Sequence, residues 1–277
     1  MTKIGFLDGF ASSSASSRCA AMLSSRKVRI TSAFDRANGY DTHAIVQRDV
    51  VGRLAERIAT LPIDPAMPAL EIGCGTGFLT ERLLETWPNL RLTVSDIAPA
   101  MLDRARETIG ERPNISYACI DGEQLDIAAG SLGLIASSLA FQWFETPAES
   151  VARMIETLNP GGWLAFSTLV AGSFREWAEA QDKAGTAGLT RSYPEASVYR
   201  QIASDTCKVE IERYTLTETH PDGLRFLQGL RSIGAGARWD GATPPSTVGL
   251  RRAIRLFEQH GARISYEIAQ VVIRHVK

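Results

Sequence analysis

Ala69-Leu70-Glu71-Ile72-Gly73-Cys74-Gly75-Thr76-Gly77 is the stretch that decides how this 277-residue chain folds. A short apolar run enters three alternating glycines, and Leu79, Leu83 and Trp87 then stripe one face of a helix. The pattern predicts a buried strand that turns tightly into a helix N-terminus. Glycines at such a turn let the backbone approach a ligand without Cβ clashes. A dinucleotide fingerprint needs GxGxxG, but its third position here is Phe78. The pattern is instead [D/E]xGxGxG, with Glu71 placed to receive a cationic amino group at the strand's end.

Outward from this loop the chain alternates helix and strand. Upstream, Val50, Leu54, Ile58 and Leu61 recur at helical spacing until Pro62 and Pro65. Downstream, Leu90, Leu92 and Val94 alternate as a second strand ending at Asp96, and Pro99 suits the first turn of the next helix. Third and fourth strands follow at 115–120 and 132–137, then a helix from Pro147, a turn at 159–162 and a fifth strand at 163–169. This rhythm predicts a parallel sheet with helices on both faces. Val209, Ile211 and Leu216 suggest a sixth strand, and Ile264 to Ile273 a seventh. The roughly 45 residues between them are too long for a hairpin turn and predict a helical cap.

Asp96 and Asp121 end the second and third strands, as Glu71 lies within the first. A carboxylate at such a strand end can accept hydrogen bonds from vicinal ribose hydroxyls, or it can cap the helix that follows. With the glycine loop, these three acids carry the signature of class I S-adenosylmethionine-dependent methyltransferases. Further stretches narrow the likeness: Phe34-Asp35-Arg36-Ala37-Asn38-Gly39-Tyr40-Asp41 with Gln47-Arg48, Leu134 to Phe144, Leu164 to Leu169, Gly172 to Trp177, and Leu230 to Ala235. Over about residues 30–275 the chain resembles the malonyl-[acyl-carrier protein] O-methyltransferases of biotin synthesis. One departure is Gly133, where that family's fourth strand usually opens with Asp.

The resemblance implies a seven-stranded, mostly parallel, Rossmann-like α/β fold with a helical cap. Its implied divisions are a tail at 1–26, a helical lid at 27–62, a cofactor-binding core at 63–169, a cap at 170–263 with a returning strand near 208–217, and a closing antiparallel strand at 264–277. The implied cofactor is S-adenosylmethionine, held by Glu71, Gly73, Gly75, Gly77, Asp96, Ile97, Asp121, Gly122 and Ser138. Tyr40, Gln47 and Arg48 would close over its methionine end, with Arg48 or Arg36 on the carboxylate. Gln142, polar inside an aromatic-rich stretch, is a candidate ligand contact, and Arg231 is the first candidate for the acceptor's carboxylate, with Arg175 second. The implied reaction esterifies a malonyl group on acyl-carrier protein or coenzyme A. A small-acid or quinone methyltransferase, or a related cofactor-binding assembly factor that hydroxylates arginine, would share the cofactor site.

Composition fits a soluble protein of a reduced compartment, and the resemblance implies a cytoplasmic enzyme. The four cysteines and four histidines lack metal-ligand spacing, and no apolar run reaches a bilayer span. The net charge of −1 conceals a local +4 over residues 1–30, −10 over 31–220 and +5 over 221–277. The acidic body disfavours nucleic acid. The basic last quarter, with Arg251, Arg252 and Arg255 on one predicted helix, is either a solvated face or a face for an acidic partner. The Ser/Ala-rich segment 1–26 is expected to be a disordered tail or to precede a true start at Met22, with a transit peptide as the alternative.

Overall fold

In the computed structural model, β1 (Ala69–Ile72) runs through the interior of a seven-stranded sheet with all four residues buried. The structure describes residues 23–36, 45–186, 192–232 and 246–276. The other strands are β2 (Leu92–Asp96), β3 (Ile115–Cys119), β4 (Leu132–Ser138), β5 (Leu158–Leu169), β6 (Cys207–Thr219) and β7 (Arg263–His275). Their order is β3-β2-β1-β4-β5-β7-β6. The first five run parallel, and β7 lies antiparallel between β5 and β6. The strand order reverses between β1 and β4, which opens a crevice at their C-terminal ends where ligands of such sheets bind.

Helices α1 (Ser25–Asp35) and α2 (Ile45–Ala59) precede the sheet, and α3 (Phe78–Thr86), α4 (Pro99–Ile109) and α5 (Pro147–Thr157) connect its strands. Pro99 and Pro147 begin their helices as expected of a residue with fixed φ and no N–H to satisfy. The two-residue period of the strands divides the core between two faces. Leu134, Ala136 and Ala165 meet Leu54, Ile58 and Leu83 on one face. Ile135, Leu164 and Phe166 meet Val151, Met154 and Tyr199 on the other.

The cap contains α6 (Arg175–Ala184), the short α7 (Ser197–Arg200), α8 (Gly223–Ser232) and α9 (Thr247–Gln259). Its centre is aromatic: the Trp177 ring meets Phe226 and Phe257 edge-on, with centroids 5.5 and 5.6 Å apart. β5 pairs only with residues 268–274 of β7, whereas β6 pairs along all of it. The β6–β7 ribbon therefore projects past β5 and joins sheet to cap.

Several expected boundaries shift. Ser24 Oγ accepts the Lys27 N–H at 3.2 Å and starts α1 at Ser25, so Ser25 and Arg26 are helical and do not belong to a tail. Residues 1–22 lie outside the described residues. β5 begins at Leu158, which pairs with Leu132; residues 159–162, expected as a turn before the strand, bulge out before Trp163 resumes pairing with Leu134. β6 is longer than the expected 208–217, because its outer half pairs with the projecting end of β7. Among the described residues no helix is long and apolar enough to cross a membrane.

Candidate active site

The glycine loop turns at the crevice because Gly73, Gly75 and Gly77 take φ of 70°, 55° and 98°, a region costly for any residue with a Cβ. The Cys74 N–H donates to Ser95 O and the Gly75 N–H to Asp96 Oδ2, which ties the loop to the end of β2. Gly77 then serves as N-cap of α3. A pocket opens above, lined by Gly73, Gly75, Asp96, Ile97, Asp121 and Gly122, with Ser138 and Leu139 on its far side. A smaller compartment on the other side of the loop is lined by Gln47, Glu71, Thr76, Ser138 and Leu139. Leu139 takes φ 52°, unusual for a leucine, and stands where the two compartments meet.

The acids differ in their partners. Glu71 is 1% exposed; Thr80 Oγ1 donates to its Oε2, yet burial and the nearby Asp96 push its pKa up to about 7. Burial pushes Asp96 to about 6, against the pull of the Ala98 and Gly75 N–H groups. Asp96 thus serves both alternatives, leading into α4 and facing the pocket. Asp121 Oδ1 accepts the Glu123 N–H, and its Oδ2 accepts Lys27 Nζ at 2.6 Å. Gly122 packs so closely that a Cβ would stand 2.6 Å from Ile72 Cγ2 and 2.9 Å from Phe144 Cζ.

On the methionine side of the implied site, Gln47 Oε1 is buried with no hydrogen-bond partner. It lines the compartment that Glu71 also lines, so an orphan acceptor and a buried acid share one small space. The Arg48 guanidinium lies over the Phe78 ring at 4.1 Å. Arg36 is exposed and donates through Nε to Ser32 O.

Three acceptor-side expectations meet a different geometry. Gln142 is 7% exposed, its Nε2 donates to Leu139 O, and Thr168 Oγ1 donates to its Oε1. Its amide ties the segment after β4 to β5, away from the pocket wall. Arg231 is exposed on the last turn of α8. It follows the buried Phe226 by five residues, about 140° round the helix, so it points away from the cap's core. Arg175 is held by Glu267 Oε1 at 2.6 Å, Ser265 Oγ at 3.0 Å and Glu176 Oε1 at 3.3 Å. Tyr40 lies outside the described residues.

A family model described as a methyltransferase domain matches residues 69–162. The chain is 39% identical over 242 residues to the biotin biosynthesis bifunctional protein BioCD of Bordetella avium, covering 87% of this chain and 51% of that one. It spans about half the length of that relative. A malonyl-[acyl-carrier protein] O-methyltransferase of Magnetococcus marinus is 31% identical, with 88% of this chain and 91% of that one covered. One from Priestia megaterium is 33% identical, over 84% and 91%. The chain belongs to the malonyl-[acyl-carrier protein] O-methyltransferase family.

Among solved structures, the YcgJ protein of Bacillus subtilis superposes with a TM-score of 0.58 at 14% identity, covering 83% of this chain and 99% of that one. The [4+2]-cyclase SpnF does so at 0.50 and 16%, over 82% and 80%. These likenesses concern the fold alone, and that a cyclase shares it illustrates that fold does not assign chemistry. For this member of the malonyl-[acyl-carrier protein] O-methyltransferase family, the pocket also has a wall absent from the expected residue set. Lys27, Ile30 and Phe34 of α1 close its open side, with Met101 and Glu123 beside them. Their sequence signal is an i, i+3, i+7 stripe after the N-cap Ser24.

Proposed function

We propose that this chain methylates the free carboxylate of a malonyl thioester on acyl-carrier protein, with S-adenosylmethionine as donor. The observation that carries this reading is the placement of Glu71 within β1, Asp96 at the end of β2 and Asp121 just past β3, on three adjacent strands beside the glycine loop, in a chain of this family. The residues fit such a cofactor: Glu71 and the orphan Gln47 Oε1 suit an ammonium group, Asp96 the ribose hydroxyls, and Asp121 and Gly122 the adenine end. S-adenosylmethionine, when bound, supplies an electrophilic methyl group on a sulfonium.

A malonyl carboxylate has a pKa of roughly 3–4 by analogy with side-chain acids and is ionised near pH 7, so the chain has no proton to remove. Its residues serve to align and dehydrate. Proximity alone can lower such barriers by ~7–11 kcal/mol. Leu139, Trp143 and Phe144 give the pocket apolar walls, against which water is excluded. Gln142 acts at one remove, by holding the turn that carries Leu139. The acidic carrier would meet the exposed arginines of the cap: Arg225 and Arg231 on α8, and Arg251, Arg252 and Arg255 on α9. None of the five forms an ion pair among the described residues.

The test is to incubate purified protein with methyl-labelled cofactor and malonyl-acyl-carrier protein, malonyl-coenzyme A, free malonate or a quinone. Base-labile label on the malonyl thioesters is expected. Label on free acid or quinone alone would reject the reading. A deletion strain should require biotin and keep normal respiration; respiratory loss that biotin does not repair would point to the assembly-factor class.

A further inference from the structure

Helix α1 bears Lys27 into the wall of the pocket, where its ammonium bridges two carboxylates: Asp121 Oδ2 at 2.6 Å and Glu123 Oε2 at 2.8 Å. The three side chains are 8%, 10% and 4% exposed. Charges this dry persist only when paired, and removing one partner leaves the others uncompensated. The two acids depend on Lys27 unequally. Glu123 also accepts the N–H groups of Glu145 and Thr146 ahead of α5. Asp121 Oδ2 has Lys27 as its hydrogen-bond partner, its other oxygen being taken by the Glu123 N–H.

The helix itself is a weak one. It has eleven residues, no acid in its first turn and no base in its last, and Arg26 and Lys27 oppose the macrodipole at its start. Its position is therefore set by what it touches. Ser24 Oγ donates to Glu145 Oε1 at 2.6 Å at one end, and Asp35 Oδ1 accepts the Ala100 N–H at 3.2 Å at the other. Phe34 meets the Trp143 ring edge-on, with centroids 5.4 Å apart. Between these ends the helix roofs the pocket with Lys27, Ile30 and Phe34.

We propose that Lys27 is a positioning residue: by bridging Asp121 and Glu123 it latches α1 over the adenine end of the cofactor pocket, so that ligand release requires this ion triad to open. The proposal rests on the cofactor reading above and adds to it a gate. The latch also fixes the rotamer of Asp121, the acid that reading assigns to the adenine end. Opening the triad uncovers the pocket and frees that carboxylate in one movement.

The experiment measures association and dissociation of S-adenosylhomocysteine by stopped-flow tryptophan fluorescence, since Trp143 lines the pocket and touches the roof. Full-length wild type is compared with Lys27→Met and Lys27→Arg. Lys27→Met should release the ligand at least ~10-fold faster, with association unchanged or faster, because an unlatched roof opens more often. Lys27→Arg should return release to within about 3-fold of wild type, since a guanidinium can bridge two carboxylates.

Release from Lys27→Met within about 2-fold of wild type overturns the latch. So does an association rate that falls in step with affinity, the mark of a damaged pocket. Should Lys27→Met not fold, hydrogen exchange of the α1 amides in wild type decides: slowing by ~10-fold or more on ligand binding supports the latch, and unchanged exchange overturns it. A wild type that binds no S-adenosyl ligand defeats the cofactor reading itself. A wild type that binds, with release unaltered in the variant, defeats the latch alone.

Discussion

Asp96 Oδ2 accepts the Gly75 N–H at 3.0 Å, so the acid that ends β2 also holds the glycine loop that follows β1. Its Oδ1 takes the Ala98 N–H at 2.8 Å. Asp96→Asn replaces one of these acceptors by a donor and removes the charge. Hydrogen bonds to charged groups contribute about 1.5–3 kcal/mol, so affinity for S-adenosylmethionine should fall ~10–100-fold. Calorimetric titration reads this directly, and affinity within about 2-fold of wild type would take Asp96 out of the cofactor site.

Glu71 and Asp96 give the ligand-free protein a pH dependence of definite sign. Burial raises their pKa values to about 7 and about 6, so the folded state holds both protons more tightly than the unfolded chain. Their stabilising contribution is full below the ordinary carboxylate range and is lost as the pH rises through about 6 and then about 7. Melting temperature should therefore decline across this interval, and Glu71→Gln should flatten the decline by on the order of 3 kcal/mol. A cationic ligand favours the ionised acids, so its affinity should rise over the same interval. Parallel melting curves for wild type and Glu71→Gln would contradict this account.

Gly122→Ala tests the floor of the pocket. The added methyl would lie 2.6 Å from Ile72 Cγ2 and 2.9 Å from Phe144 Cζ, in a site with no slack. Overpacking of this kind costs typically ~1–3 kcal/mol and should displace Phe144 toward the ligand. Thermal melting should show the loss of stability, and titration with S-adenosylhomocysteine a loss of affinity beyond it. Unchanged values for both would mean that the floor yields freely.

The arginine face of α9 predicts a split between substrates. Reversing Arg251, Arg252 and Arg255 to Glu should raise KM for carrier-bound malonyl substrate several-fold while leaving malonyl-coenzyme A turnover near wild type. The wild-type advantage for the carrier should shrink by about 0.3 M salt, where surface charges are screened within a few ångströms. Equal effects on both substrates, or salt-independent kinetics, would remove docking from these residues.

The parts of the fold that were legible in the sequence are those whose physics is local. Three glycines after Ile72 and the prolines at 99 and 147 announce turns and helix starts by their own backbone preferences. Partnership across the chain was not legible. Lys27 reads as one more base in a Ser/Ala-rich stretch until Asp121, 94 residues later, is brought beside it. Gln142 interrupts an aromatic run and so reads as ligand-facing; in the fold Leu139 O and Thr168, 26 residues on, satisfy its amide instead. Arg175 offered a charge whose neutralisation by Glu267, 92 residues away, no spacing could reveal. The charge of the cap was readable, but which of its arginines stay unpaired depended on the folded arrangement.

The place of β7 has a consequence for how the molecule is built during synthesis. It is inserted between β5 and β6, although both of those strands are made first. A nascent chain that has emerged only as far as α9 holds β5 with an open edge and β6 with no strand to join. Such edges invite pairing between chains. Ribosomal pausing within the α9–β7 region, or a stop codon just before Arg263, should therefore yield insoluble protein even though the whole glycine loop has already been made.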